Sequence, residues 1–468
     1  MIRGTFQTTG LILLWLCGSC GTSLDSDTPA AWPIQGEWTG DLILVSVDTM
    51  RADRLSLYGG DRDTDGLATQ FGTPAWLASQ GTTFEQAWAP IGKTLPALGT
   101  FWTGLDPLEH GGVSNKHAVL APSRMRTYAE QGALGLAMVA NRSLGPASGL
   151  AQGFAGYAMR WGAQKKEIAS EMTRRTRDAI SGKKRLVLWA HFMAPHQPYD
   201  PPEAEAARYQ VGGTPGSNAL LASIHRDPAS LSMNEKHRLR ALYDAEIHMT
   251  STRVAELLAG LDANYRAAGR GGLLENARVV FFSDHGEELA DHHGYFMHAK
   301  SLYSGVIRVP LILAGPGIPS SARESQSLGL GDILPLVIHG TAPKGGVQCA
   351  SWQGQFFAAR DDRWTLIHNP TLDRNGPLEP PEDVAFFYPA VALFDREADH
   401  AELQDVAAQY PEVTRRLLRE LRLWWAGLNP ASPGIPEGVD PALLAELGYS
   451  DSFENQMTEP WLPEQWNP

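Results

Sequence analysis

Two uninterrupted apolar runs, each closed by an aspartate, constrain this chain more than anything else in it. The first is LILVSVD, ending in Asp48. The second is ARVVFFSDHGEE, in which Asp284 and His285 follow the apolar stretch. A strand with one wet face alternates apolar and polar residues. A run without alternation is buried on both faces, as in a parallel strand of an α/β sheet. Ligands of such sheets bind at the carboxyl ends of the strands, where both aspartates stand. Thr94, in KTLPALGTFWTG, and His196, in HFMAPHQPYDPP, lie between them in sequence. Strand-end carboxylates, a hydroxyl and imidazoles are the parts needed for metal-assisted displacement at a phosphorus or sulfur centre.

The rest of the chain supports an α/β domain with a smaller appendage. Residues 185–192 and 278–283 read as further buried strands beside 42–48. Residues 73–80 read as a helix with Thr73 as N-cap and Pro74 in its first turn, and 95–104 as the start of another, opened by Pro96. Longer amphipathic patterns cover 163–182 and 235–262. Near residue 350 the pattern changes to short alternating strands (FFAARDDRWTLIHN, FYPAVALFDRE), followed by an amphipathic helix over 411–427. The expected organisation is a catalytic domain over 39–345, a C-terminal antiparallel α+β subdomain over 346–428 and a Pro-rich tail over 429–468.

The chain of 468 residues is 43% hydrophobic and 19% charged, within the range of ordinary globular proteins. A formal net charge of −13 argues against a nucleic-acid partner, which needs clustered Lys and Arg. At the N-terminus Arg3 precedes the apolar stretch LILLWL, too short to span a bilayer, and then CGSC. This resembles a bacterial lipobox over residues 1–20, with Cys20 as the lipidated residue and 21–38 as a tether. The expectation is an exported lipoprotein facing the periplasm or the outside, tied to the membrane by a lipid anchor. A plain secretory signal is the alternative. Cys349 would then be the one thiol of the mature chain, which excludes a disulfide framework.

Six segments in order carry a resemblance to the sulfatase family of the alkaline phosphatase superfamily. They are VSVDTMRADRLSLYGG, TPAWLASQGTTFEQAWAP, the Thr94 segment with TGLDP and HGG, APHQPYDPP, SDHGEELADHHGYFMHAKSLYSGVIRVPLILAGPG, and ALFDREADHAELQDVA. The resemblance implies a mixed, largely parallel sheet flanked by helices with a small C-terminal sheet. It also implies a hydrolase of sulfate, phosphate or phosphonate esters acting on a small-molecule, glycan or lipid substrate. Sulfatases convert a Cys or Ser in C/S-x-P-S-R to formylglycine. Here Thr94 holds that position and Leu98 the Arg position, so no formylglycine is expected and Thr94 itself becomes the nucleophile. Capping the helix ahead of Pro96 is the alternative role for Thr94.

The resemblance further implies one divalent metal held by Asp48, Thr94, Asp284 and His285. An imidazole ligand favours Mn²⁺ or Zn²⁺, with Ca²⁺ or Mg²⁺ as alternatives. A second metal is not expected, since Phe192 stands where two-zinc relatives carry an Asp four residues before His196. His196 and a protonated His298 would contact the transferred group, with Lys300 as a further cation. Arg51 would position the substrate or pair with Asp53. His110, His191, His292 and His293 are expected to be structural or on the surface. Two rival functions stay open: a phospho-group transferase at the membrane surface, and a weakly catalytic binding lipoprotein.

Overall fold

A computed structural model describes residues 36–434, apart from 162–166, 183, 212–215, 228–229, 293–295, 299, 344 and 371–388, together with Met1 and Ile34. The chain divides into Met1–Trp32 and Pro33–Pro468. The segment 2–33, which holds the expected signal peptide and Cys20, together with His293 and the tail from residue 435, lies outside the described residues.

The main sheet has nine strands: β1 (Asp41–Val47), β2 (Gly81–Trp88), β3 (Leu134–Val139), β4 (Gly156–Met159), β5 (Leu186–Phe192), β6 (Ala277–Ser283), β9 (Arg308–Ala314), β10 (Ala322–Glu324) and β11 (Leu328–Gly329). Its order is β10-β2-β9-β6-β1-β5-β3-β4, with β11 also pairing with β2. All pairings are parallel except those of β9 with β2 and β6. The mixed, mostly parallel sheet expected from the sequence is therefore present. A short ribbon, β7 (Glu288–Leu289) with β8 (Phe296–Met297), lies outside it.

Every residue of β1, β5 and β6 is buried, which is why their runs show no alternation. One face, including Ile43, Val45 and Val47, packs into a core with Met172, Leu257 and Leu261. These come from the helices Ile168–Ser181 and Met233–Ala267, close to the two long patterns read from the sequence. On the other face Trp102 of the helix Thr94–Thr103 packs edge-on against Trp189 of β5, and Phe101 stacks on Phe282 of β6. Thr73 accepts from the Trp76 amide, as an N-cap should.

The C-terminal sheet, β12 (Gln348–Trp352), β13 (Phe356–Arg360), β14 (Trp364–His368) and β15 (Val391–Asp395), is antiparallel throughout. The helix Pro411–Gly427 lays Leu417, Leu418 and Leu421 on Phe357, Leu366 and Leu393. Among the described residues no helix is long and apolar enough to cross a membrane.

Candidate active site

Sheet register builds the site. Val47, the last residue of β1, pairs with Phe192 of β5 on one side and Ser283 of β6 on the other, and Val139 of β3 pairs with His191. Four parallel strands thus end level, and the residues just beyond them converge: Asp48 from β1, Asp284 and His285 from β6, His196 from the loop after β5, and Asn141 after β3. The helix Thr94–Thr103 begins in the same place. Thr94 Oγ1 lies 3.5 Å from Asp48 Oδ2 and 3.5 Å from His285 Nε2. Lys93, not Thr94, occupies the N-cap position, and the Leu95 amide donates to Asn115 Oδ1 at 2.9 Å. The capping alternative for Thr94 is therefore not realised; its hydroxyl points into the carboxylate cluster.

Each aspartate uses one oxygen for the protein and leaves the other bare. Asp48 Oδ2 accepts from Asn141 Nδ2 at 2.7 Å, with His191 Nε2 3.4 Å away, while Oδ1 has no hydrogen-bond partner. Asp284 Oδ1 accepts from the amides of His285 at 2.8 Å and Thr49 at 3.2 Å, while Oδ2 has none. His285 Nε2 is 3.8 Å from the bare Asp48 oxygen and 3.6 Å from the bare Asp284 oxygen. Its Nδ1 bonds to the Gly286 carbonyl at 2.9 Å, so a proton there leaves Nε2 as a lone pair facing the cluster. Ligand atoms of these three residues lie within 4.8 Å of one another. Bare oxygens buried this way are costly unless a cation meets them. Thr49 adds local strain: φ is 56° at a β-branched residue, a conformation worth about 1–3 kcal/mol, and it aims the Thr49 amide at Asp284.

The electrostatics carry the same message. Burial raises the Asp284 carboxyl, and the neighbouring Asp48 charge raises it further, well above the usual range. Burial also acts to raise Asp48, but the charge of His196 and the His191 hydrogen bond outweigh it, and the net shift is down. Burial and the His298 charge push His285 down to about 3. One carboxylate charged and its neighbour neutral is the expected compromise when no cation balances the pair.

A histidine group sits above the carboxylates. The His298 ring centroid is 4.6 Å from that of His285 and 5.2 Å from that of His196. His298 Nδ1 is 2.8 Å from Glu287 Oε1. Burial and the charge of His196 push His298 down to about 3, with Lys93 acting in the same direction. Burial raises Glu287 to about 8. This argues against the expected protonated His298 and favours the neutral imidazole. With its proton on Glu287 and donated to Nδ1, His298 takes the tautomer that carries Nε2–H.

Other expectations are sorted by the geometry. Arg51 spends its guanidinium on Asp53 (2.9 and 2.7 Å), Asp291 and the Glu287 carbonyl (3.0 Å), which favours ion pairing over substrate contact. Lys300 is partly buried in the turn before Ser301. His110 is structural: it sits under the Thr94 helix, with Nε2 3.1 Å from the Pro96 carbonyl. His292 is buried, stacked 3.5 Å from Tyr303 and paired with Glu288.

His191 was expected to be structural, and it has a specific task. Strand alternation turns Ser46, Trp189 and His191 toward the face of the Thr94 helix. Trp189 Nε1 donates to Ser46 Oγ at 2.8 Å, and Ser46 Oγ is 2.8 Å from His191 Nδ1. A hydroxyl donating to Nδ1 leaves the His191 proton on Nε2, facing Asp48. Asn141, Glu287 and Lys93 were not picked out from the sequence at all. The signal for Asn141 was available only by recognising LGLAMV as a strand whose end lies level with β1.

Known proteins resemble this chain in part of its sequence and in its fold. The family model described as Sulfatase matches residues 149–339. The match takes in His196, Asp284, His285 and His298, and begins after Asp48 and Thr94. Arylsulfatase K of Mus musculus is 28% identical over 208 residues, covering 40% of this chain and 36% of that protein. Its Danio rerio counterpart is 27% identical over 204 residues, with coverage of 40% and 37%. The chain thus spans less than two-fifths of the length of these relatives. Among solved structures, a putative sulfatase from Bacteroides fragilis superposes with a TM-score of 0.59 at 19% identity, covering 83% of this chain and 96% of the other. The phosphonate monoester hydrolase of Agrobacterium radiobacter gives 0.57 at 16% identity, with coverage of 83% and 95%.

Proposed function

We propose that this protein is a member of the sulfatase family, a reading its matched segment and fold support, and that it hydrolyses sulfate, phosphate or phosphonate esters through Thr94 with the help of one divalent cation. The observation that carries the reading is the pair of bare, buried oxygens, Asp48 Oδ1 and Asp284 Oδ2, gathered with His285 Nε2 beside the Thr94 hydroxyl. The donor set fits such an ion: two carboxylates, one imidazole and one hydroxyl. Because each carboxylate offers a single oxygen, the set suits Mn²⁺ or Zn²⁺ better than Ca²⁺, which takes six to eight oxygens and often bidentate carboxylates. When bound, the cation would polarise an ester oxygen and lower the pKa of the Thr94 hydroxyl.

The remaining steps belong to side chains. Thr94 Oγ1 releases its proton to water and attacks phosphorus or sulfur in line with the leaving group. The ester bond breaks as the bond to Thr94 forms, and His196 gives the departing alkoxide a proton. His298 Nε2–H, held by Glu287, donates to a non-bridging oxygen as charge shifts onto it, and Lys300 is a further cation for the substrate. Water then attacks the Thr94 ester and gives a proton to His196, and the bond to Thr94 Oγ1 breaks as that oxygen takes a proton back from solvent. Thr94 lacks the aldehyde hydrate through which formylglycine sheds sulfate, so phosphoester or phosphonate turnover is the expected activity. Export and anchoring through Cys20 form part of the same proposal and would place the site outside the cytoplasm.

The test is a parallel assay of purified protein on aryl sulfate, aryl phosphate, aryl phosphodiester and aryl phosphonate, with Mn²⁺, Zn²⁺ or Ca²⁺ and with Thr94→Ala. Phosphoester or phosphonate turnover lost in Thr94→Ala supports the reading. Turnover of aryl sulfate alone overturns the argument from the missing formylglycine motif. Metal binding without turnover of any ester favours the transferase or binding-protein alternatives, and products of transfer to an added alcohol separate those two.

A further inference from the structure

Between His285 and β9 the chain runs out and back. The outgoing arm carries Glu287, Glu288 and His292, and the returning arm carries His298 and then Ser301, Ser304 and Gly305. Pairing of β7 with β8 joins the arms, and the Glu287 amide donates to the Gly305 carbonyl at 3.2 Å. Ser301 ties them again: its hydroxyl donates to Glu288 Oε1 at 2.6 Å and its amide to the His298 carbonyl at 3.1 Å. Both arms also meet the C-terminal sheet. The segment after β15 brings Glu402, which is buried, onto Ser304. Glu402 Oε2 accepts from the Ser304 amide at 2.6 Å, and Oε1 accepts from the Ser304 hydroxyl at 2.7 Å. Glu402 has φ 55°, a conformation that side chains other than glycine seldom adopt. His292 Nε2 lies 3.0 Å from the Ala401 carbonyl, and Arg360 of β13 donates to the Leu302 carbonyl. Burial acts to raise the Glu402 carboxyl, but the Arg360 charge and the Ser304 hydrogen bonds outweigh it, and the net shift is down. A buried charge is costly unless donors meet it, so a shift of Ser304 would strip this carboxylate of two of them.

We propose that Glu402 is a positioning residue for the candidate active site: by fixing Ser304 it holds the loop in which Glu287 orients His298. This rests on the reading of His298 as a donor to the transferred group. The path is short. Ser304 precedes Gly305, whose carbonyl takes the Glu287 amide, and Glu287 Oε1 lies 2.8 Å from His298 Nδ1. The His298 ring then stands 4.6 Å from that of His285, whose Nε2 is 3.5 Å from Thr94 Oγ1. The C-terminal sheet thereby completes the site without lending it a reacting group. Glu402 lies in ALFDREADHAELQDVA, a segment with no residue in the proposed chemistry.

The experiment compares the full chain with Glu402→Ala, Glu402→Gln and Leu421→Ala, all with Zn²⁺ present. Leu421 lies in the core of the C-terminal sheet, so its truncation loosens that sheet without touching Ser304. Long-range proton–nitrogen spectra of protein labelled at histidine read the His298 tautomer, with His298→Gln assigning the signal. Thermal melts, and kcat and KM for an aryl phosphate, accompany them. Wild type and Leu421→Ala should show His298 protonated on Nε2 alone. In Glu402→Ala the two ring nitrogens of His298 should move toward averaged shifts. Its kcat should fall roughly tenfold or more with KM little changed, as small misplacements do. Glu402→Gln should restore the tautomer and most of kcat, because its amide oxygen can accept from the Ser304 amide and its NH₂ can donate to the Ser304 hydroxyl. A wild-type His298 spectrum and kcat in Glu402→Ala overturn the proposal, as do equal changes in Leu421→Ala or no recovery in Glu402→Gln. Failure of the hydrolase reading looks different: wild type turns over no ester, while the His298 spectrum still depends on Glu402.

Discussion

Replacing Asn141 by Ala tests the geometry at its least obvious point. Asn141 Nδ2 donates to Asp48 Oδ2 at 2.7 Å and reaches Thr94 Oγ1 at 3.3 Å. The first bond is charge-assisted and buried, so it is worth about 1.5–3 kcal/mol. Its loss frees Asp48 to rotate and lets both of its oxygens compete for a cation. A value of about 2 kcal/mol converts to roughly 30-fold in metal affinity at 1.4 kcal/mol per tenfold, inside the 10–100-fold usual for groups that orient metal ligands. Asn141 also caps a short turn by accepting from the Ser143 amide at 2.9 Å and hydroxyl at 2.7 Å. Ser143→Ala therefore serves as control, since it disturbs the cap and leaves the Asp48 contact intact. Mn²⁺ and Zn²⁺ affinities by competition with a chelator, followed by kcat at saturating metal, form the assay. Wild-type affinity and kcat in Asn141→Ala, or an equal loss in Ser143→Ala, would refute the idea that Asn141 fixes the Asp48 carboxylate.

Three further outcomes follow from the same geometry. Saturating Mn²⁺ or Zn²⁺ should raise the melting temperature, by the equivalent of about 2.7 kcal/mol at a hundredfold excess over Kd, and Asp284→Asn should abolish the shift; a shift that persists in the variant places the ion elsewhere. Arg51→Met should destabilise by about 2–3 kcal/mol, at or below the lower end for a buried ion pair because Asp53 is half exposed, as read by urea unfolding. Unchanged stability with a raised KM would restore Arg51 as a substrate contact. Glu287 is raised to about 8 from an ordinary 4.5. Its contribution to the stability of chelator-treated protein is complete below about pH 4.5 and is lost as pH rises toward 8. Glu287→Gln should flatten the melting temperature over that window, and a fall as steep as wild type would show that another group is responsible.

The proposed site was legible in part because its residues sit where the sequence pattern breaks. Asp48, Asp284 and His285 follow apolar runs, and Thr94 opens a helix ahead of Pro96, while the roles expected of them came from the family resemblance. Residues that act by orientation were hidden for physical reasons. His191 lies inside an apolar run, and only the register that pairs it with Ser46 shows which face it takes. Asn141 follows a strand whose Gly135 interrupts an otherwise plain apolar run. Glu287 depends on the return of the chain through β8 to His298, eleven residues on, and Lys93 on the approach of the distant end of β12. Arg51 illustrates the reverse problem. Its nearness to Asp48 in sequence suggested substrate, but the chain turns at Thr49 and carries the guanidinium to Asp53 and Asp291.

The same register accounts for how the two aspartates divide their oxygens. Adjacent parallel strands ending level place Asp48 and Asp284 side by side, and the next backbone amides, from Thr49 and His285, fold back on one oxygen of Asp284. β3 and β5 supply the equivalent donors to Asp48 through Asn141 and His191. Each carboxylate is thereby fixed by the backbone path or by neighbouring strands, and each shows one oxygen to the centre. A cation held this way needs few ligands and a tight sphere, and the imidazole and hydroxyl complete one of four protein atoms. On the proposed reading, a preference for Mn²⁺ or Zn²⁺ over Ca²⁺ would follow from where four strands stop. Freeing the tied oxygens, through Asn141 or His191, should relax that preference more than changes to the surrounding loops.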